Sequence, residues 1–219
     1  MIDILKLAIA LMIISMAAGL AIGITNSKTK DQIAEQNQQT VNASLQMVFP
    51  AGLEITPLLQ GGDNLPDTFW VARSSQGVEG YAFVISQRGY AGDIKYMVGV
   101  DTKGNITGIT VLEQSETPGL GSRITEEASE DYIWTFLFRK SEQSKPWFTE
   151  QFEGLSVYDP IGIEKSMGEW HTLDDENRQI LKNKNSVTAI TGSTISTQAV
   201  TNGLQRQVAP YMNALKGDN

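Results

Sequence analysis

"VTAITGSTISTQAV", Val187 to Val200, packs six hydroxyl residues into ten positions: Thr188, Thr191, Ser193, Thr194, Ser196 and Thr197. One glycine, Gly192, stands among them. An apolar stripe follows at Val200, Leu204, Val208, Tyr211 and Leu215, spaced 4, 4, 3 and 4. That period belongs to an amphipathic helix. The stretch therefore reads as an extended segment reaching Thr191, a tight turn at Gly192 and a helix start. Pro210 falls inside the stripe and predicts a kink or an end near Ala209, because proline lacks the N–H and crowds the preceding turn. Three uses of the hydroxyls are open. Ser193 or Thr194 can cap the helix. The free N–H groups of the first turn, with the helix dipole, can bind a phosphate. A hydroxyl can also serve as a nucleophile, but that needs a base, and the chain has a single histidine, His171.

Upstream lies "ETPGLGSR", Glu116 to Arg123. Pro118-Gly119 marks a turn, and Gly121 follows two residues later. Two glycines let a backbone approach a flat or anionic group closely. The pattern is no Walker A loop, which would end in Gly-Lys-Ser/Thr, and it lacks the spacing of a dinucleotide fingerprint. A solvent turn and a binding loop both fit it. Before this loop, "FWVARS" (69–74), "GYAFVISQ" (80–87), "IKYMVGVD" (94–101) and "ITGITVLEQ" (106–114) are rich in aromatic and branched residues and read as strands. "TKGN" (102–105) between the last two fits a hairpin turn. "TEEASEDYIWTFLFR" (125–139) reads as a helix capped by Thr125, with Tyr132, Trp134 and Phe136 as core. Closely spaced strands followed by helices, without regular alternation, predict an α+β fold with a largely antiparallel sheet and flanking helices.

At the N-terminus, "LAIALMIISMAAGLAIGI", Leu7 to Ile24, runs 18 residues without a charge, and 21 if extended back past Lys6 to Ile4. A helix rising about 1.5 Å per residue crosses a hydrocarbon core of about 30 Å in roughly 20 residues. A cleaved signal peptide would carry a shorter apolar region, about 7–15 residues. The length favours a retained transmembrane helix in a lipid bilayer. Lys6 precedes the span and Lys28 and Lys30 follow it, so the positive-inside rule gives no orientation. From Ser27 to Val48 the chain is polar, with Ile33, Val41, Leu45 and Val48 near helical spacing. This predicts a stalk helix ended by Pro50 and Gly52, with a flexible tether as the alternative. The expected organisation is an anchor over 1–26, a stalk over 27–50 and one domain over 51–219.

Composition narrows the function. Seventeen basic against 25 acidic residues give a net charge of −8, and no basic stripe appears, so nucleic acid is not an expected partner. The chain has no cysteine, which excludes disulfides, thiolate metal sites and a thiol nucleophile. One histidine excludes a His-rich metal site.

Four features occur in order: one N-terminal span, a stalk ending "LQMVFPAG", the loop "ETPGLG" and "TGSTIST". Together they resemble the flavin-mononucleotide-binding G subunit of the Rnf electron-transport complex. The C subunit of the sodium-translocating NADH:quinone oxidoreductase is a near relative of that family and tends to be longer. The resemblance implies FMN carried as a phosphoester on Thr194, the last residue of a motif that begins at Thr191 and Gly192. Ser193 stands where the family usually has alanine, and Thr188 where it favours an aspartate. The resemblance also places Thr197, the loop residues Glu116, Thr117, Pro118, Gly119, Leu120 and Gly121, and Tyr90 and Gly92 of "GYAGDI" (89–94) at the cofactor. It implies attachment by a separate flavin transferase that uses FAD. It further implies other subunits of a membrane redox complex passing electrons between ferredoxin and NAD, and a flavin domain outside the cytoplasmic (inner) membrane. No turnover by the chain alone is expected. A flavin-free anchored sensor or assembly domain, and a hydrolase using Ser193 or Thr194, are the readings from other classes.

Overall fold

The computed structural model describes residues 2–59, 65–127 and 145–217. The chain divides into two compact units, one running to Ala43 and the other starting at Ser44. Helix α1 runs from Ile2 to Val48 as one continuous element through both the apolar span and the polar stretch behind it. By length and composition it can cross a membrane. Its large apolar side chains, Leu7, Leu11, Ile14 and Leu20 among them, are exposed.

The second unit is built on a five-stranded antiparallel meander of β1 (Glu54–Leu59), β2 (Thr68–Ser74), β3 (Gly77–Arg88), β4 (Asp93–Asp101) and β5 (Ile106–Glu113), paired in sequence order. Four of these strands match the sequence expectation. β1, with Pro57 in its middle, was not legible. The turn between β4 and β5 falls at "TKGN", where Asp101 Oδ1 accepts from the N–H groups of Lys103 and Asn105 at 2.8 Å each. After the short helix α2 (Trp147–Glu150), a parallel pair, β6 (Gly162–Glu164) and β7 (Ser186–Thr188), joined through α3 (Asp175–Asn183), lies apart from the main sheet. The fold is α+β, as expected. The helix expected over 125–139 lies outside the described residues from 128 onward. Thr125 itself closes a 3₁₀ turn (Gly121–Thr125) and donates to Ser122 O at 2.9 Å rather than capping a helix.

Alternation along the strands gives the sheet two apolar faces. Phe69, Val71, Phe83, Ile85, Tyr96 and Val98 point to one side and are buried there under α4 (Thr194–Gly203) and α5 (Ala209–Gly217). Phe83 meets Tyr211 with ring centroids 5.4 Å apart, and the Tyr96 hydroxyl donates to Val200 O at 2.9 Å. Burial pushes that phenol's pKa upward, so it stays a donor. Pro210 does not end the helix. A π-helical turn over Leu204–Val208, with Ala209 N–H bonded to Leu204 O, widens the chain just before the proline, and the helix resumes at Ala209. The stripe of Val200, Leu204 and Val208 thus stays buried across the irregularity.

The other face is nearly flat, because Ala82, Gly99 and Gly108 lie side by side across β3, β4 and β5. Onto this row packs the last turn of α1, whose Leu45 and Val48 are buried together with Phe49 just beyond it. A Cβ on Gly99 would stand 2.8 Å from Val48 O, and one on Gly108 2.9 Å from Val48 Cα. Both contacts are with backbone, which cannot swing away. Thr107 Oγ1 donates to Val48 O at 2.6 Å and satisfies a carbonyl left open at the helix end. Filling this seat with Gly108→Val should destabilise the protein by roughly 1–3 kcal/mol through overpacking. A lowered unfolding midpoint of the detergent-solubilised chain, with faster proteolysis between residues 44 and 52, is the expected result. An unchanged midpoint would show that the seat does not hold this turn.

Candidate functional site

β7 delivers the chain through Ala189 and Ile190 into a turn at Thr191-Gly192, and α4 begins at Thr194. Gly192 has φ +76° and Gly119, in the facing loop, φ +75°, a backbone region open to glycine. Ile190 N–H donates to Thr197 Oγ1 at 3.1 Å, and Ser193 N–H to Ile190 O at 2.9 Å, so the turn closes on itself. Between this junction and the 116–121 loop opens a cavity of about 440 Å³, lined by Tyr90, Glu116, Thr117, Leu120, Gly121, Gly192, Ser193, Thr194 and Ile195.

Eight of the thirteen residues expected at a cofactor line this space. Pro118 and Gly119 stay in the loop without lining it. Gly92 lies behind it, its N–H 3.3 Å from Glu116 Oε1. Thr191 lies outside the cavity, with its N–H turned to Glu169, and Thr197 is buried beneath the turn. The expectation that Ser193 or Thr194 supplies a side-chain cap is corrected. Ser193 holds the cap position without a capping bond, because its hydroxyl is shared with Ser196 Oγ at 2.7 Å. Ile195 is a lining residue absent from the sequence expectation, although its place one residue beyond Thr194 could have suggested it. Ser196 was visible only as one hydroxyl among six.

The hydroxyls of the motif are therefore not equivalent. Ser193 and Ser196 bond to each other, and Thr197 accepts from Ile190 N–H. Thr194 is half-buried, lines the cavity and has no side-chain hydrogen bond among the described residues. It also sits in the first turn of α4, where backbone N–H groups lack intrahelical acceptors and the helix dipole is positive.

Glu116 closes the back of the cavity and is 5% exposed. Its Oε1 accepts from Ala91 N–H at 2.9 Å as well as from Gly92, and Oε2 accepts from Ser196 Oγ. Burial alone would raise the pKa of this carboxyl. The Ser196 hydroxyl and the amides of residues 90–92 outweigh it, and the group lies below its ordinary range. The same carboxylate explains Gly121. A Cβ there would run into Glu116 Oε2 and lie 2.5 Å from Ser196 Oγ. Gly121 is small to admit Glu116, and only secondarily to let a ligand approach.

The match to known families follows this geometry. The FMN-binding domain model covers residues 89–209, more than half of the chain and every element around the cavity. The chain belongs to the FMN-binding domain family. It is 29% identical over 224 residues to the G subunit of the Na(+)-translocating ferredoxin:NAD(+) oxidoreductase complex of Acetobacterium woodii, covering 96% of this chain and 93% of the relative. It is 31% identical to the G subunit of the ion-translocating oxidoreductase complex of Pasteurella multocida, covering 70% of this chain and 83% of the relative. Among solved structures, the C subunit of the Na(+)-translocating NADH-quinone reductase of Parabacteroides distasonis has the same fold, with a TM-score of 0.50 at 19% identity over 82% of this chain and 93% of that one. FMN is the cofactor of this family, and the expectation of FMN stands.

Glu116 makes the site pH-sensitive in a defined direction. Its folded pKa lies below the ordinary value of 4.5, so its stabilisation is complete above that value and is lost as pH falls towards the folded one. Glu116→Gln should cost about 1.5–3 kcal/mol at neutral pH, the worth of hydrogen bonds to a charged group. It should also flatten the fall of the unfolding midpoint on acidification below about pH 4.5. Thermal unfolding of both proteins across a pH series checks this; parallel curves would remove Glu116 as the source.

Proposed function

We propose that the chain carries FMN as a phosphoester on Thr194 and relays electrons within a membrane-bound, ion-translocating ferredoxin:NAD oxidoreductase of the Rnf type. The observation that carries the proposal is the Thr194 hydroxyl at the first turn of α4, which has no side-chain hydrogen bond among the described residues and lines a cavity in a chain of an FMN-binding family.

The residues present suit this cofactor. The free amides at the start of α4 suit a phosphate dianion. Tyr90, Leu120 and Ile195 give the cavity apolar walls suited to a flat ring, while Glu116 and Thr117 supply polar edges. When bound, FMN supplies reversible uptake and release of electrons, and the protein supplies orientation and surroundings. Thr194 Oγ1 acquires the flavin from FAD on a separate transferase: its bond to phosphorus forms as the pyrophosphate bond breaks, AMP leaves, and the hydroxyl proton passes to a base of that enzyme. His171 does not line the cavity, and its Nδ1 lies 3.9 Å from Glu169 instead. A self-catalysed hydrolytic role for Ser193 or Thr194 therefore has no histidine base.

α1, up to residue 26, is proposed as the single-pass anchor, with the flavin domain on the extracytoplasmic side and other subunits of the complex as partners. The likeness to two G subunits, one of them matched over nearly its whole length and named as ferredoxin:NAD-linked, favours the Rnf assignment. The likeness to the C subunit of the NADH-quinone reductase supports the fold alone.

Thr194→Ala should abolish covalent flavin while leaving a folded, membrane-bound chain, because this hydroxyl makes no side-chain hydrogen bond among the described residues and alanine is the better helix former. Thr194→Ser should keep part of the labelling. Peptide mass mapping of chains co-expressed with a flavin transferase decides between sites. An FMN ester on Ser193 or Thr197, or none on the unmodified chain, would overturn the assignment.

A further inference from the structure

Among the described residues, the side chain of Glu169 holds the Thr191-Gly192 turn from outside its own segment. The amides of Ile190 and Ser193 find partners between residues 190 and 197, whereas Thr191 N–H reaches Glu169 Oε1 at 2.9 Å. Glu169 is in turn gripped by the guanidinium of Arg123, Nη1 to Oε1 at 2.7 Å and Nη2 to Oε2 at 2.8 Å. Arg123 stands two residues beyond Gly121, at the end of the "ETPGLG" loop. Its own orientation is fixed by Glu126 at 2.7 Å and by Trp147, whose ring centre lies 5.6 Å from the guanidinium carbon.

The side chains of Glu169 and Arg123 are 11% and 23% exposed, and neither lines the cavity. The pair nevertheless joins the two segments that form it. Glu116 joins the same two segments further along, through Ser196. Thr194 thus lies between two carboxylate links, one fastened at Thr191 and the other at Ser196. A planar fork on a carboxylate fixes angle as well as distance. With only the Ser196 link, Thr191 and Gly192 would be held by the bonds of Ile190 to Thr197 and Ser193 alone, with nothing fixing the Thr191 amide against the 116–123 loop.

We propose that Glu169 and Arg123 are positioning residues for flavin attachment, holding the Thr191-Gly192 turn against the 116–123 loop so that the Thr194 hydroxyl and the first amides of α4 face the cavity. This rests on Thr194 being the attached residue. The pair acts through the turn and touches neither the phosphate nor the ring.

The test uses the full chain, co-expressed with a flavin transferase, as Glu169→Ala, the isosteric Glu169→Gln, and Arg123→Lys, which keeps the charge but loses the fork. Initial attachment rate is read by in-gel flavin fluorescence per unit protein, and ring orientation by visible circular dichroism of the attached flavin. Glu169→Ala should attach flavin on the order of ten- to a hundred-fold more slowly, the range that a small misplacement of a reacting group produces. Glu169→Gln and Arg123→Lys should fall between it and the unmodified chain, and the visible dichroism should change in all three while far-ultraviolet dichroism does not. If Glu169→Ala fails to fold, the isosteric variant carries the test. Unmodified rates and spectra in both Glu169 variants would overturn the positioning role and leave the Thr194 assignment standing. Absence of any flavin ester on the unmodified chain would overturn both.

Discussion

The buried carboxylate of Glu116 is the constraint around which the site is arranged. A carboxylate removed from water is stable only when its oxygens are met by donors. Here the donors come from two distant parts of the chain: the amides of the 90–92 turn after β3, and the hydroxyl of Ser196 in the first turn of α4. Each donor fixes the place of its segment. The charge also dictates what is absent. A Cβ on Gly89 would sit 2.6 Å from Oε1, and Gly121 is held to a hydrogen by Oε2. One acid thereby sets the identity of two glycines and brings three segments to one cavity. Removing it would leave unpaired amides behind, which cost more than the bonds contribute while intact.

The same logic sorts the hydroxyls. Ser196 is committed to Glu116, Ser193 to Ser196, and Thr197 to the Ile190 amide that closes the turn. Three of the small polar residues thus hold the turn together. They leave Thr194 as the motif's cavity-lining hydroxyl without a side-chain hydrogen bond among the described residues, at the positive end of a ten-residue helix. Serine at 193 is used as well, since it extends the Glu116 network by one bond. Thr188, where the resembled family favours an aspartate, is fully buried, and its N–H donates to Gln151 Oε1 at 2.7 Å. An ionised acid in that enclosure would need donors, yet Gln151 now presents an acceptor to it.

Much of this was legible in the residues and some was not. Four strands announced themselves because branched and aromatic residues alternate within them and turn residues separate them. β1 did not, since Pro57 and few buried side chains give an edge strand little pattern. The helix beyond Thr194 was visible from its stripe, but its passage through Pro210 was not. Proline forbids a regular turn without saying whether a wider one will absorb it. The two motif loops were recognisable as loops, but their convergence rests on long-range bonds, Glu116 to Ser196 and Arg123 through Glu169 to Thr191. Arg123 and Glu169 carried no local signal at all. They lie 46 positions apart, and "GEW" around Glu169 resembles any surface acid.

The tether proposed on α4 would have a physical consequence. The helix is fastened to the sheet through Tyr96 and Val200, and Ala199, Val200 and Leu204 are buried against it. A group joined to Thr194 inherits the position of this rigid element, whereas a group on the 116–121 loop would follow an exposed turn. A phosphoester at Thr194, as proposed, would be remote from the redox-active ring; it would fix where the flavin is and leave its electronics to the cavity walls. The opposite face of the sheet takes the last turn of α1 in its glycine seat. The layer carrying α4 and the layer receiving that turn thus lie on opposite faces of one sheet.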